Sequence, residues 1–271
     1  MYELVYVYEF EGNLEEKVPA VRDEDYIGFW REGRCSFLFY HRPKKHLFDR
    51  LCLPFRSELA IRHENWESGT PLAPLKVGRI GIYQPWYRPI PAEFNIALDP
   101  NMAFGSGFHA STRGCLTLLD KLFSGRVVRR VLDLGTGTGI LSLACLKMGA
   151  LTAVGVDSNN LAIEAARKNR QLNGLTEKLH LVRGNAEDFL ALPADLVIAN
   201  MHHAVIEPLT RRDDFYTKAF YLVSGLIRTE GGAMRERLEE RLDLMESFSE
   251  NLWFTYLFRE RQAPATHAPP A

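Results

Sequence analysis

The sequence predicts a doubly wound α/β domain with a smaller α+β domain before it. Two observations carry this prediction. From residue 96 to residue 260, short apolar runs typical of strands alternate with helical patterns, as expected for a parallel sheet. Residues 1–95 instead contain short, aromatic-rich runs of alternating polarity, separated by turn residues. Residues 261–271 are rich in Ala and Pro and are expected to form a disordered tail.

The larger domain is expected to contain five strands and three helices. The strands are predicted at residues 130–134, 153–157, 179–183, 195–200 and 219–225, and the helices at residues 139–148, 161–173 and 232–243. Ser158 or Asn159 is expected to cap the second helix, and Gly174 to follow its end. In the smaller domain, strands are predicted at residues 2–10, on both sides of a turn at residues 31–34 within residues 26–41, and at residues 79–83, and a short helix is predicted at residues 43–52.

Composition narrows the function classes. The formal net charge is -1, so the chain shows no strong nucleic-acid signal. No stretch approaches the roughly 18 apolar residues of a membrane span, and no signal peptide is visible. The four cysteines form no C-x-x-C pair, and the histidines lack ligand spacing, so we expect no metal site. These features predict a cytoplasmic protein with reduced thiols.

A glycine-rich turn at residues 131–139, V-L-D-L-G-T-G-T-G, is the central motif. It ends a strand and opens a helix, the place where α/β proteins bind ligands. Gly135, Gly137 and Gly139 allow a cofactor to approach the backbone closely. The sequence matches neither the dinucleotide fingerprint nor the phosphate loop, which favours a cofactor without phosphates. Asp133 is expected to receive an ammonium group of that cofactor.

Three further positions follow predicted strands. Asp157 lies about twenty residues beyond the glycines, where an acid accepts hydrogen bonds from ribose hydroxyls. Asn185 and Ala186 follow the next strand and are candidates for contact with an adenine edge, although a plain turn explains them almost as well. Asn200 ends a strand whose carboxyl end should lie at the same sheet edge.

The segment L-D-P-N-M-A-F-G-S-G-F-H-A-S-T at residues 98–112 resembles the L-D-P-G-L-A-F-G-T-G-T-H-x-T-T segment of the PrmA family, the methyltransferases of ribosomal protein L11. The resemblance covers about residues 64–258. It implies a Rossmann-like class I methyltransferase sheet, S-adenosylmethionine as cofactor, and cofactor contacts at Thr112, Gly135, Asp157 and Asn200. Phe104, His109 and Asn200 are the catalytic candidates. A Phe104 ring would favour the sulfonium cation, although core packing explains it equally well, and a histidine is a candidate base.

The sequence departs from the family in places that concern substrate choice. The N-terminal region is short, and residues 11–25 lack the helix expected after the first strand. His202 and His203 replace small residues, and Phe108 stands where Thr is usual.

Three functions remain open at this point. The first is a protein N-methyltransferase acting on lysine or α-amino groups, with a ribosomal protein as one possible substrate. The second is a methyltransferase of a small molecule or nucleic acid, and the third is a catalytically silent cofactor-binding module. For the first, we expect residues 1–95 to be a separate recognition unit whose outward aromatic side chains bind the protein substrate.

Overall fold

A computed structural model describes residues 4–32, 34–50, 54–62, 72–99 and 101–261. The strands within these ranges are β1 (Leu4–Glu11), β2 (Tyr26–Glu32), β3 (Cys35–Tyr40), β4 (Phe55–Arg62), β5 (Leu75–Val77), β6 (Ile80–Tyr83), β7 (Phe94–Ala97), β8 (Arg130–Leu134), β9 (Thr152–Asp157), β10 (Leu179–Arg183), β11 (Leu196–Asn200), β12 (Phe220–Ile227), β13 (Leu242–Glu250) and β14 (Trp253–Glu260). The helices are α1 (Val18–Val21), α2 (Lys45–Arg50), α3 (Ala110–Gly125), α4 (Ile140–Lys147), α5 (Asn160–Leu172), α6 (His203–Leu209) and α7 (Arg228–Glu239). The predicted tail from residue 262 onward lies outside the described residues.

The large sheet has the strand order β10-β9-β8-β11-β12-β14-β13, which confirms the doubly wound α/β prediction. Strands β8 to β12 are parallel, and β14 and β13 join the β12 edge in antiparallel orientation. The chain leaves β8 toward β9 on one side and returns to β11 on the other. The strand order therefore reverses between β8 and β11, and this reversal is where open α/β sheets bind ligands.

Each face of the large sheet has its own hydrophobic core. One core packs α3 and α4 against the sheet and includes Leu119, Leu143 and Ile198. The other packs α6 and α7 against the opposite face and includes Ile206 and Leu238. Because both faces are covered, the central strands are almost continuously apolar, as in β11, whose five residues are all buried. No helix in the described ranges is long and apolar enough to cross a membrane.

Local signals explain the boundaries of α5. The side chain of Asn159 accepts a hydrogen bond from Leu161 N at 2.9 Å and caps the helix, as one of the two predicted candidates. At the other end, Gly174 adopts a φ of 66°, and Leu175 N donates to the Arg170 carbonyl at 2.9 Å. This left-handed turn closes the helix where the sequence predicts its end.

The prediction for residues 232–243 was partly wrong. The helix α7 begins at Arg228 and ends at Glu239, and β13 begins at Leu242. Gly232, at which the helix was predicted to begin, lies inside α7. A Cβ on Gly231 would lie 3.2 Å from the Tyr256 hydroxyl and 3.3 Å from Phe254, so a glycine there lets α7 pack closely on β14. The hairpin of β13 and β14 was missed altogether.

The N-terminal residues form an antiparallel sheet of order β2-β3-β1-β4. One face of this sheet packs against α1 and α2 around buried aromatic side chains, including Tyr8, Phe10, Tyr40 and Phe48. A helix after the first strand was not expected, yet residues 15–17 form a 3-10 turn that runs directly into α1. Leu14, Val18 and Val21 place this short helical segment on the core of the sheet.

The opposite face of the N-terminal sheet is not a free surface. Its apolar side chains, Val5, Val7, Ile27 and Phe39, are buried in one cluster with Met102 and Leu161 of the larger domain, and Trp30 and Phe37 pack against that cluster. On this face, Phe39 is buried against the larger domain and Trp30 and Phe37 pack at the edge of the same cluster, and the role of the N-terminal aromatic residues in binding a protein substrate stays a prediction. Alternation within a strand predicts two faces but not what covers each.

Residues 75–97 belong to the larger core. Strands β5, β6 and β7 form a small sheet, and Val77, Ile80, Ile82 and Ile96 are buried in the same cluster as α3 and α4. A domain boundary on the amino-terminal side of Leu75 matches this packing better than one at residue 95.

Candidate functional site

Three predicted site residues lie at the carboxyl ends of neighbouring strands. Gly135 follows β8, Asp157 ends β9 and Asn200 ends β11. In the register, Leu134 of β8 pairs with Val156 on one side and Ala199 on the other, which brings the three residues together at the reversal of strand order. All three line a cavity of about 890 Å³. A volume of this size fits a cofactor or substrate site.

The glycine turn has a conformation that glycine favours, but its three glycines have different surroundings. Gly135, Gly137 and Gly139 have φ values of 70°, 56° and 82°. A Cβ on Gly137 would lie 2.3 Å from the Phe104 carbonyl oxygen, and Gly135 and Gly137 both line the cavity. Gly139 instead packs on α5, where a Cβ would lie 3.2 Å from the Cβ of Ala166. Thus the first two glycines form the cavity wall, and the third joins α4 to α5.

Asp157 is held in place by two backbone groups. Its Oδ2 accepts a hydrogen bond from Gly137 N at 3.0 Å, and its Oδ1 accepts one from Asn159 N at 2.9 Å. Burial raises the pKa of this carboxyl group, while the two backbone N–H groups act in the opposite direction. Each carboxylate oxygen retains a further lone pair, so the fixed side chain is able to accept hydrogen bonds from the hydroxyl groups of a ligand.

Asp133 does not line the cavity. Its side chain is buried, and its Oδ2 accepts hydrogen bonds from Thr136 Oγ1 and Ser142 Oγ, each at 2.7 Å. Burial raises the pKa of Asp133. Asp133 therefore holds the glycine turn from the interior of the domain. This corrects the expectation that it receives an ammonium group directly.

Thr112 is also buried, and it does not line the cavity, although its neighbour Ser111 does. Its Oγ1 has no hydrogen-bond partner among the described residues. The cofactor contact that the resemblance implies for Thr112 is therefore not visible in this geometry.

Asn185 and Ala186 lie in the cavity wall beyond β10, together with Glu187. They open a 3-10 turn at Ala186–Phe189, which Asp188 N closes by donating to the Asn185 carbonyl at 3.1 Å. This places the predicted adenine contacts on the same side of the cavity as Asp157, because β10 pairs with β9.

Asn200 presents an unused acceptor. The residue is 9% exposed and lines the cavity, and its Oδ1 has no hydrogen-bond partner within the described part of the chain. Its backbone position is fixed by pairing with Ser224. The next residue of β12, Gly225, has a φ of 83°, and a Cβ there would lie 2.2 Å from the Met201 carbonyl oxygen. A ligand N–H group would satisfy the free side-chain oxygen.

His109 lies between two aromatic rings at the cavity wall. Its ring centroid is 5.1 Å from that of Phe104 and 4.6 Å from that of Trp253, both at steep angles. Burial and the Arg113 charge lower the pKa of His109, so the ring is neutral near pH 7. Its Nδ1 lies 2.8 Å from Ser111 Oγ and accepts from Ser111 N at 3.3 Å, which caps α3. Nδ1 is engaged with Ser111, so any proton exchange with a ligand would use Nε2, and the role of His109 as a base stays a prediction.

Two tryptophans in the cavity wall were missed by sequence reasoning. Trp253 begins β14, and the hairpin that carries it is tied to α3 by Arg113, whose Nε donates to Glu250 Oε2 at 2.9 Å. Trp30 comes from β2 of the N-terminal sheet. Neither lies in a recognisable motif, and both reach the cavity only through contacts between segments distant in sequence.

The paired histidines stand at the start of α6. His202 lines the cavity and caps α6, with its Nδ1 accepting from Ala204 N at 3.3 Å. Within the ranges that the structure describes, no three His, Cys, Asp or Glu side chains lie together as metal ligands.

The doubly wound sheet, the glycine turn after its central strand and the acid after the next strand together define a class I methyltransferase fold. The comparisons with known proteins agree with this class. The family profile described as "Ribosomal protein L11 methyltransferase (PrmA)" matches residues 54–261. The chain therefore belongs to the PrmA family, which confirms the resemblance found in the sequence.

Several relatives carry the name ribosomal protein L11 methyltransferase. The protein of Caldanaerobacter subterraneus subsp. tengcongensis is 33% identical over 69% of this chain and 62% of its own length. That of Syntrophomonas wolfei is 34% identical over 72% of this chain and 65% of its own length. The chain thus spans just under two thirds of the length of these relatives. The crystal structure of a ribosomal protein L11 methylase from Lactobacillus delbrueckii subsp. bulgaricus has a similar fold, with a TM-score of 0.61, 24% identity, and coverage of 70% of this chain and 100% of that one.

Proposed function

We propose that this protein transfers a methyl group from S-adenosylmethionine to an amine nitrogen of a protein substrate, either a lysine side chain or an α-amino group. The observation that carries the proposal is the unpartnered Oδ1 of Asn200, which lies in the same cavity wall as Gly135 and Asp157. The cavity thus combines features suited to a nucleoside cofactor with a free acceptor suited to an amine N–H group.

The residues present fit the cofactor. Gly135 and Gly137 leave room where a side chain would fill the wall, and Asp157 offers fixed carboxylate oxygens for ribose hydroxyls. Asn185 and Ala186 would contact the adenine. When bound, S-adenosylmethionine supplies a methyl group activated by the positive sulfonium.

The chain's own groups would prepare and align the amine. A lysine amine has a pKa of about 10.4 in water, and removal from water favours its neutral, nucleophilic form. The aromatic side chains of Phe104 and Trp253 would exclude water at the cavity wall, and Asn200 Oδ1 would accept a hydrogen bond from the amine. An aromatic face also favours a nearby cation by roughly 0.5–2 kcal/mol. Holding the nucleophile about 3–3.5 Å from the carbon that it attacks is the main catalytic contribution.

Ribosomal protein L11 is the first substrate to test, because the relatives are named for it. The family match begins at residue 54, so the first three strands of the N-terminal sheet lie outside it. The substrate of this chain can therefore differ from that of its relatives. We also propose a cytoplasmic location, which the free, buried cysteines Cys115 and Cys145 support.

The test combines binding and transfer. Calorimetric titration with S-adenosylhomocysteine should show binding, and labelled methyl groups should pass from S-adenosylmethionine to purified L11 or to a protein in a bacterial lysate. Replacing Asn200 with Ala should lower the transfer rate at least tenfold, since one hydrogen bond is worth about 1.4 kcal/mol.

The other outcomes are distinct. Label found only in nucleic acid or in small molecules would contradict the protein substrate. Binding without transfer into any fraction would show a silent cofactor-binding module. Asn200→Ala with an undiminished transfer rate would refute the role given to this side chain.

A further inference from the structure

The N-terminal sheet lies directly on the helix that follows the ribose-binding acid. A Cβ on Gly28 of β2 would lie 2.0 Å from Leu161 Cδ1, so the backbone of β2 touches the first turn of α5. Leu161 and Met102 are buried in one cluster with side chains of β1, β2 and β3. This contact excludes water along the interface and fixes where β2 crosses α5.

Ion pairs support the same placement. Arg22 Nη2 lies 3.0 Å from Glu164 Oε1 on α5, and Arg183 at the end of β10 pairs with Glu15 of the N-terminal segment. Both pairs join the N-terminal domain to the β9-α5-β10 unit that carries Asp157. The N-terminal domain is therefore attached to the cofactor side of the larger domain.

Trp30 extends from this interface into the cavity wall. Residues 28 and 30 of β2 point to the same face of the sheet, because side chains alternate along a strand. Gly28 covers Leu161, and Trp30 lines the cavity together with Asp157 and Ser158. The indole packs against Phe37 with ring centroids 5.6 Å apart, so its position is supported by the neighbouring strand.

We propose that Trp30 is a cofactor-binding residue, with its indole against the adenosine part of S-adenosylmethionine. The inference rests on the proposed function. It follows from the placement of two residues that line the cavity. Asp157 has the geometry to hold ribose hydroxyls, and Trp30, which lines the same cavity, packs against the cluster that contains Leu161, four residues beyond Asp157. An aromatic ring beside a bound nucleoside stabilises it by contact with the flat face of the base.

The proposal makes the N-terminal domain part of the cofactor site. Cofactor affinity then depends on the docking of β2 on α5, and a chain that lacks the N-terminal sheet binds the cofactor more weakly. The larger domain then does not form the whole cofactor site by itself. It also couples the two domains, since a protein substrate that shifts β2 alters the cofactor site.

The experiment measures the dissociation constant for S-adenosylhomocysteine by calorimetry in the full chain and in single variants. Trp30→Leu keeps an apolar side chain on Phe37 but removes the aromatic face, and Trp30→Phe restores an aromatic ring. Trp30→Ala removes both. Trp86→Ala is the matched control, because Trp86 is 46% exposed and does not line the cavity. Circular dichroism and thermal unfolding check that each variant is folded.

We expect Trp30→Ala and Trp30→Leu to weaken binding about tenfold or more, as stacking contacts do. Trp30→Phe should stay within about threefold of the wild type, and Trp86→Ala should match it. Unchanged binding in Trp30→Leu, with normal binding by the wild type, would overturn this inference and leave the proposed function intact. Equal loss in Trp30→Phe and Trp30→Leu would overturn the aromatic contact. No binding by the wild type would overturn both proposals.

Discussion

Replacing Gly137 with Ala should damage both the stability of the fold and the cofactor site. Gly137 has a φ of 56°, and a Cβ there would lie 2.3 Å from the Phe104 carbonyl oxygen. Gly174 offers a matched control. Its φ is 66°, and nothing lies within 4 Å of a Cβ at that position. Both substitutions place Ala in the left-handed region, but only the first adds a clash with the backbone.

The expected loss in the free energy of unfolding has two contributions, the left-handed backbone conformation and the clash. A side chain in the left-handed region costs roughly 1–2 kcal/mol, and this cost is common to both variants. In Gly137→Ala, the Phe104 carbonyl oxygen must also withdraw from 2.3 Å to at least 3.0 Å. That oxygen accepts a hydrogen bond from Thr138 N at 2.9 Å, so it is not free to move. Overpacking of this kind adds roughly 1–3 kcal/mol.

Urea unfolding and calorimetric titration with S-adenosylhomocysteine check this prediction. Gly137→Ala should lower the free energy of unfolding by about 2–5 kcal/mol and Gly174→Ala by about 1–2 kcal/mol. Binding should weaken at least tenfold in the first variant only, because the shift moves the Gly137 N–H away from Asp157 and displaces the wall at Phe104. Equal stability of the two variants, or unchanged binding by Gly137→Ala, would refute the reasoning.

Three further predictions concern buried or capping groups. Thr112→Val should leave the affinity for S-adenosylhomocysteine unchanged and the stability equal or slightly higher, because the Thr112 hydroxyl has no hydrogen-bond partner among the described residues. Weaker binding in calorimetry would instead show that Thr112 contacts the cofactor. Burial raises the pKa of Asp133 in the folded state above the ordinary value of 3.8. The free energy of unfolding of the wild type, relative to that of Asp133→Asn, should therefore fall as the pH rises through this raised pKa. A difference in unfolding free energy that does not depend on pH would contradict this prediction. His109→Ala should lose about 0.5–2 kcal/mol of stability through the missing helix cap, and His109→Asn should recover most of it in thermal unfolding; equal losses in the two variants would argue against the cap.

Much of the larger domain follows from local sequence. The strand at Arg130–Leu134 and the one at Leu179–Arg183 have the predicted bounds, because each run of strand-forming residues ends at a glycine, Gly135 or Gly184. The Asn159 cap and Gly174 set the ends of α5 for the same local reason. By contrast, the β13-β14 hairpin was missed, since β13 is only partly buried and carries a weaker pattern, and the glycines of the helix that packs on the hairpin resemble a helix start.

The sequence by itself determined which residues stand at the carboxyl ends of the strands: Gly135, Asp157 and Asn200. Parallel strands share one edge, so the order of motifs along the chain is enough to bring these residues together. Only the tertiary structure decided that Asp133 turns inward to hold the loop, while Trp30 and Trp253 enter the cavity wall. Alternation predicts which face of a strand is apolar, but the segment that covers that face is chosen by packing between residues far apart in sequence.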